Sequence, residues 1–219
     1  MPGFSQTGRS WNRVVDILPT AITAHAVDVP LGLDFVDTAH RLGDVGGKAV
    51  YVGYSMGGRL CLRLALDRPD IVERLVLISA TPGIADAEAR AARLRSDEDL
   101  ALDVQRDGAE AFLERWLDQA LFATLTREQA AVEARIRHDA VLMHQLRALG
   151  QGAMEPLWDR LDQLTAPVAL MVGELDEKYV AIAAQMHERI AQSSVHVVAG
   201  VGHAVHLEHP GAIAEALGA

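Results

Sequence analysis

The 219-residue sequence predicts an α/β fold, a mostly parallel sheet flanked by helices and interrupted by an all-helical insertion. Three observations lead there. Short apolar runs of strand length alternate with stretches of helical periodicity, the pattern that successive βαβ units write. One of those runs, Lys48 to Val52, meets Gly53-Tyr54-Ser55-Met56-Gly57 and then a helix-compatible stretch ending at Arg68-Pro69. From Ile84 to about Gly152, by contrast, helical periodicity continues without a convincing strand. The expected division is therefore 1–83 for the first part of the core, 84–152 for a helical lid, and 153–219 for the second part of the core.

The first ten residues are turn-rich and polar. Ser10 then caps a short amphipathic helix with Trp11, Val14, Val15 and Leu18 on one stripe, and Pro19 stops it. Ala21 to Val29 reads as a strand. Leu31 to Asp44 reads as a helix with Leu31, Phe35, Ala39 and Leu42 on one face. Arg74 to Ser79 is a continuous apolar run suited to a strand covered on both faces, closed by Thr81-Pro82-Gly83. In the lid, Phe112, Trp116, Leu117 and Leu121 recur at helical spacing, and Thr126-Arg127-Glu128-Gln129 is a capping box opening a helix expected to run to Leu149. A short helix from Pro156 to Leu164 precedes a buried strand, Pro167 to Gly173. A helix (Tyr179 to Ala191), a strand (Val195 to Ala199) and a last helix (Pro210 to Leu217) complete the chain.

Half of the residues are hydrophobic, the formal charge is -10 and the pI is near 5.3. With no basic run, neither nucleic acid nor an anionic membrane surface is an expected partner, and a small molecule is. No apolar run approaches the ~18 residues of a spanning helix, and the N-terminus lacks a signal-peptide pattern, so the expectation is a cytoplasmic protein, monomer or homodimer. The single cysteine, Cys61, reads as a small buried hydrophobe. Of the twenty basic residues only Lys48 and Lys178 are lysine, so arginine supplies nearly all positive charge.

Ser55 is the candidate nucleophile or base, because Gly-x-Ser-x-Gly between strand and helix holds a serine at strained dihedrals that flanking side chains would obstruct. A serine hydroxyl needs a histidine to take its proton, and the histidine needs a carboxylate to orient it. Ligands bind at the carboxyl ends of parallel strands, so the partners belong in later loops. The loop after the Val168–Gly173 run offers Glu174, Asp176 and Glu177; the region after the next strand offers His203, His206 and His209, with His196 inside that strand. We assign Asp176 and His203: Glu174 should turn back on the scaffold, Glu177 suits a helix N-terminus, and His203 follows a glycine loop. No metal set is expected.

At these residues the chain resembles the α/β-hydrolase superfamily, and within it the SHCHC synthases (MenH) of menaquinone biosynthesis. The resemblance rests on Gly3-Phe4-Ser5-Gln6-Thr7-Gly8-Arg9-Ser10-Trp11, Gly53-Tyr54-Ser55-Met56-Gly57-Gly58-Arg59, Ser79-Ala80-Thr81-Pro82-Gly83, Gly173-Glu174-Leu175-Asp176-Glu177-Lys178-Tyr179 and Gly202-His203-Ala204-Val205-His206. It implies a cofactor-free lyase that eliminates pyruvate from SEPHCHC, a carboxylate substrate, with the Ser-His-Asp unit acting as a base. It also implies an oxyanion hole from the Phe4 and Met56 amides, and substrate binding by Tyr54, Arg59, Arg93, Trp116, Phe122 and Arg137. An esterase or thioesterase with Ser55 as true nucleophile is the alternative, and a non-catalytic anion-binding relative a further one.

Against the family, the chain begins at the Phe4 turn, with Pro2 where a histidine would stand, and Leu31-Gly32-Leu33 replaces a Gly-His-Gly loop. In the family's sheet a strand lies between those matching Ala21–Val29 and Lys48–Val52. Its loss leads us to expect Ala21–Val29 to pair directly with Lys48–Val52, or outside residues to fill the slot, or loose packing. A reading frame that starts about ten to twenty residues too late, roughly one strand and its approach, is the favoured account. It carries the expectation of weak activity and low stability for residues 1–219.

Overall fold

The computed structural model describes residues 1–130 and 135–218. A 3₁₀ turn at Gly8–Trp11 leads into α1 (Asn12–Val15). Helix α2 (Phe35–Gly46) starts at Asp34, whose side chain accepts from the Asp37 N–H at 2.8 Å. Leu31 lies ahead of that helix and is exposed, so the apolar face is Phe35, Ala39 and Leu42 without it. Then come β1 (Ala49–Tyr54), α3 (Met56–Asp67) and β2 (Val72–Ile78). The lid holds α4 (Ala87–Leu117), α5 (Arg127–Ala130) and α6 (Asp139–Leu149). The second part of the core holds β3 (Val168–Gly173), α7 (Glu177–His187), β4 (Ser193–Val198), α8 (Val205–Glu208) and α9 (Pro210–Gly218).

The four strands form one parallel sheet in the order β1-β2-β3-β4. Both faces of its centre are covered. Leu75 and Leu77 of β2 and Val168, Leu170 and Val172 of β3 join one apolar cluster with Leu60 and Leu64 of α3 and Met186 of α7. The alternate residues Val76, Ile78, Ala169 and Met171 join another with Trp11, Val205, Leu207 and Ile213. Strands buried on both sides need apolar side chains at every position, which is why these runs show no alternation in sequence.

Two further expectations are corrected. Ala21–Val29 forms no strand: it runs over the surface, largely exposed, tied down where Asp28 Oδ1 accepts the Gly8 N–H at 2.6 Å. The open edge of β1 is met by Met1, whose amine donates to Val52 O (2.5 Å) and whose carbonyl accepts from Tyr54 N (3.1 Å). Direct pairing of Ala21–Val29 with Lys48–Val52 therefore does not occur. Nor does one helix run from Thr126 to Leu149. The capping box forms, with reciprocal bonds of 2.9 and 3.1 Å between Thr126 and Gln129, but residues 135–138 are not helical. Their backbone is used elsewhere: Arg135 bridges antiparallel to Gln6, and Ile136 N donates to Ser5 O at 2.8 Å. Residues 131–134 of that expected helix lie outside the described residues. Helix α4 is broken at Gly108 (φ 81°, ψ 159°), where Asp139 Oδ1 accepts the Ala109 N–H and restarts the ladder.

Candidate active site

The carboxyl ends of β1, β3 and β4 converge. At the end of β1 the chain turns sharply at Ser55 (φ 49°, ψ -107°) into α3. The turn is tight on both sides: Gly57 lies beneath the carbonyls of Met1 and Pro2, and a Cβ there would collide with backbone. Asp176 ends the loop after β3, and its carbonyl accepts from Tyr179 N and Val180 N, so the first turn of α7 fixes it. His203 follows β4. The two are buried together, 7% and 2% exposed, with His203 Nδ1 donating to Asp176 Oδ2 at 2.6 Å. Nε2 then faces Ser55 Oγ at 3.4 Å, able to take its proton.

The rival residues are occupied as their positions imply. Glu174 Oε2 accepts the Gly200 N–H, Glu177 lies in the first turn of α7, and His196 contacts Ser194 on the exposed face of β4. His209 is exposed near the start of α9. His206 is entirely buried between the rings of Tyr54 and Trp11, at centroid distances of 4.2 and 4.8 Å. Burial first, then the nearby Arg135 charge, pushes its pKa well below the usual histidine value. Among the described residues no cluster of His, Cys, Asp or Glu could hold a metal ion.

Aromatic rings wall the site. Phe4 meets Trp116 at 4.8 Å and Phe112 at 6.2 Å; Trp116 meets Phe122, which meets His203 at 6.3 Å. Tyr54 and Tyr179 flank His203 at 5.3 and 4.6 Å. Burial raises the phenol pKa of both tyrosines, so both stay neutral. Phe4, near the start of the chain, thus meets Trp116, which in turn meets Phe122. Tyr179 was not singled out as a site residue, although its place three residues after Asp176 on α7 is the signal that it should face the same centre.

The Met56 N–H is the first of α3, at its positive end, and the Phe4 N–H belongs to the Gly3–Gln6 turn; neither donates to another group among the described residues. The arginines do not form one pocket. Arg59 is 5% exposed: one guanidinium N–H donates to Leu149 O at 2.8 Å, another points at Met154 Sδ, and Phe35 lies beneath. Burial lowers its pKa to about 10. Arg93 pairs with the buried Asp97 at 2.7 Å and lines a cleft of ≈590 Å³ with Tyr179, Lys178 and Arg189. Arg137 is exposed and lines, together with Phe122, a recess of ≈740 Å³ that also holds Glu114, Asp118 and Glu128. Cys61 is buried and burial pushes its thiol up to about 11.

A serine, histidine and aspartate at the carboxyl ends of a parallel sheet, roofed by a helical insertion, define a class, and the chain belongs to the alpha/beta hydrolase family, whose model matches residues 1–216. Within it the chain is 33% identical over 229 residues to a Bacillus subtilis (strain 168) protein provisionally named 2-succinyl-6-hydroxy-2,4-cyclohexadiene-1-carboxylate synthase, covering 95% of this chain and 84% of that one. It is 30% identical over 231 residues to the synthase of that name from Enterobacter sp. (strain 638), covering 98% and 87%. The structure of MenH from S. aureus superposes with a TM-score of 0.90 at 25% identity, covering 99% and 90%. A thermophilic esterase from Thermogutta terrifontis shares the fold with a TM-score of 0.78 at 20% identity, covering 99% and 85%. The likeness to the synthases read from the motifs is borne out. Among the described residues no helix is long and apolar enough to cross a membrane.

Proposed function

We propose that the chain is an SHCHC synthase, eliminating pyruvate from SEPHCHC. Ser55 Oγ takes a carbon-bound proton from the substrate as its own proton passes to His203 Nε2, and Asp176 steadies the resulting imidazolium. The electron pair of the broken C–H bond shifts the ring unsaturation and expels the enolpyruvyl oxygen. That leaving enolate takes a proton back and becomes pyruvate. Charge that develops on a substrate oxygen meets the Phe4 and Met56 N–H groups, donors already oriented before reaction.

The observation that carries this reading over simple ester cleavage is Arg59. A buried guanidinium one turn beyond the base, with no carboxylate in ion-pair range among the described residues, is costly unless an anion approaches. A neutral ester gains nothing from it; a polycarboxylate does. The same triad would serve an esterase, and the aromatic wall at Phe4, Trp116 and Phe122 would accept an acyl chain. Incubation with SEPHCHC beside a panel of p-nitrophenyl esters decides between them. Pyruvate release far faster than ester cleavage is expected, with Ser55→Ala abolishing it; preference for an ester would sink the synthase reading.

A further inference from the structure

The turn that carries Phe4 is held in place by the lid, and Ser5 is where the two are fastened. Ser5 is entirely buried and sits at φ 63°, a left-handed conformation that a residue with a Cβ keeps only when its surroundings enforce it. All three of its polar groups are taken by the lid. Its N–H donates to Gln145 Oε1 on α6 at 3.0 Å, its carbonyl accepts from Ile136 N at 2.8 Å, and its Oγ accepts from Arg135 at 2.7 Å. Arg135 is itself anchored through Nε to Ala130 O. On the other flank the turn closes on itself, with Gly3 N donating to Gln6 Oε1 and Gln6 N to Gly3 O.

Both peptides beside Phe4 are thus pinned, one within the turn and one by the lid. The Phe4 ring is pinned as well, against Phe112 and Trp116. An N–H between two fixed peptides cannot swing, and a fixed donor stabilises a developing oxyanion far better than a mobile one. Gln145 is buried and touches neither Ser55 nor His203 by any hydrogen bond in the structure, so stability of the site's acid and base does not call for it.

We propose that Gln145 and Arg135 are positioning residues for the reaction: by holding Ser5 they aim the Phe4 N–H, so the oxyanion hole is complete only when the lid is docked on the turn. This rests on the reading of Phe4 as an oxyanion donor made above. The test uses the whole chain as wild type, Gln145→Ala, Gln145→Glu and Arg135→Lys. Three quantities are followed: kcat and KM on SEPHCHC and on the best ester, the rate at which a fluorophosphonate phosphonylates Ser55, and hydrogen exchange in the peptide spanning residues 1–10. For Gln145→Ala we expect kcat to fall about tenfold to a hundredfold with KM little changed, and exchange at Ser5 to accelerate while the sheet stays protected. Gln145→Glu keeps an acceptor oxygen for the Ser5 N–H and should restore both. Unchanged exchange at Ser5 would overturn the proposal, as would faster exchange with kcat and phosphonylation unaltered, or a loss that Glu does not restore and that spreads to the sheet. If wild type turns over neither SEPHCHC nor esters, the synthase reading falls on its own. Slower phosphonylation of Ser55 in Gln145→Ala would then still support the clamp, and an equal rate would end it.

Discussion

Arg59 carries a charge to a place that water hardly reaches, and the balance of its contacts sets two opposite expectations. Its neighbours supply a carbonyl, a thioether and an aromatic face, which compensate a guanidinium only in part, and its Nε has no partner among the described residues. Arg59→Leu should therefore raise Tm while lowering kcat/KM on SEPHCHC by tenfold or more, the loss expected when a charge-assisted pair with substrate disappears. A fall in both would make Arg59 structural. His206 offers a second test. The unfolded chain takes up a proton near pH 6.5, whereas the folded protein resists it until far lower pH, so the unfolded state binds more protons below pH 6.5. Stability present above that pH should drain away as the pH falls, by up to about 1.4 kcal/mol per unit. Melts between pH 5 and 8 should show it, and His206→Phe should flatten the curve. The triad was legible residue by residue because each member has its own strand end. The environment of Arg59 was not legible, since the sequence places it beside the site but cannot show Leu149 and Met154 closing over it.

Among the elements, the β2 and β3 runs announced themselves, because a strand buried on both faces leaves no polar residue to blur it. The surface segment Ala21–Val29 misled, having strand-like composition but no free edge that it reaches. The helix expected from Thr126 to Leu149 also misled: its capping box is real, yet the backbone after it answers to Gln6 and Ser5, more than a hundred residues away, which local periodicity cannot report. The end of β3 shows how one element places another. Gly173 is in backbone contact with Val201 and Gly202, directly before His203, and a Cβ there would strike both carbonyls. Gly173→Ala should push the His203 loop outward, lengthening its approach to Ser55. We expect kcat to drop by two orders of magnitude or more, out of proportion to a modest loss of Tm. A variant that is equally stable and fully active would show that the loop can slide.

For the whole molecule, the insertion leaves and re-enters the core at one place. Leu157 N donates to Pro82 O at 2.7 Å and the Trp158 indole donates to Gly83 O at 2.9 Å, so the lid hangs from two adjacent threads. Its body is tied back by Asp97, fully buried, which accepts from Arg93 and from Gly152 N. The fastening of the turn to the lid spans 140 residues between Ser5 and Gln145, and Ser55 and His203, which face each other in the site, are 148 apart. Contacts of such separation close late, because the chain between them must be ordered first. The turn that carries Phe4 and Ser5 is thus among the last parts to find its place. On refolding from denaturant, far-UV dichroism should recover before Ser55 becomes reactive toward a fluorophosphonate, and the lag should lengthen in Gln145→Ala. A newly made molecule would pass through an interval in which its sheet is already native and its chemistry has not begun.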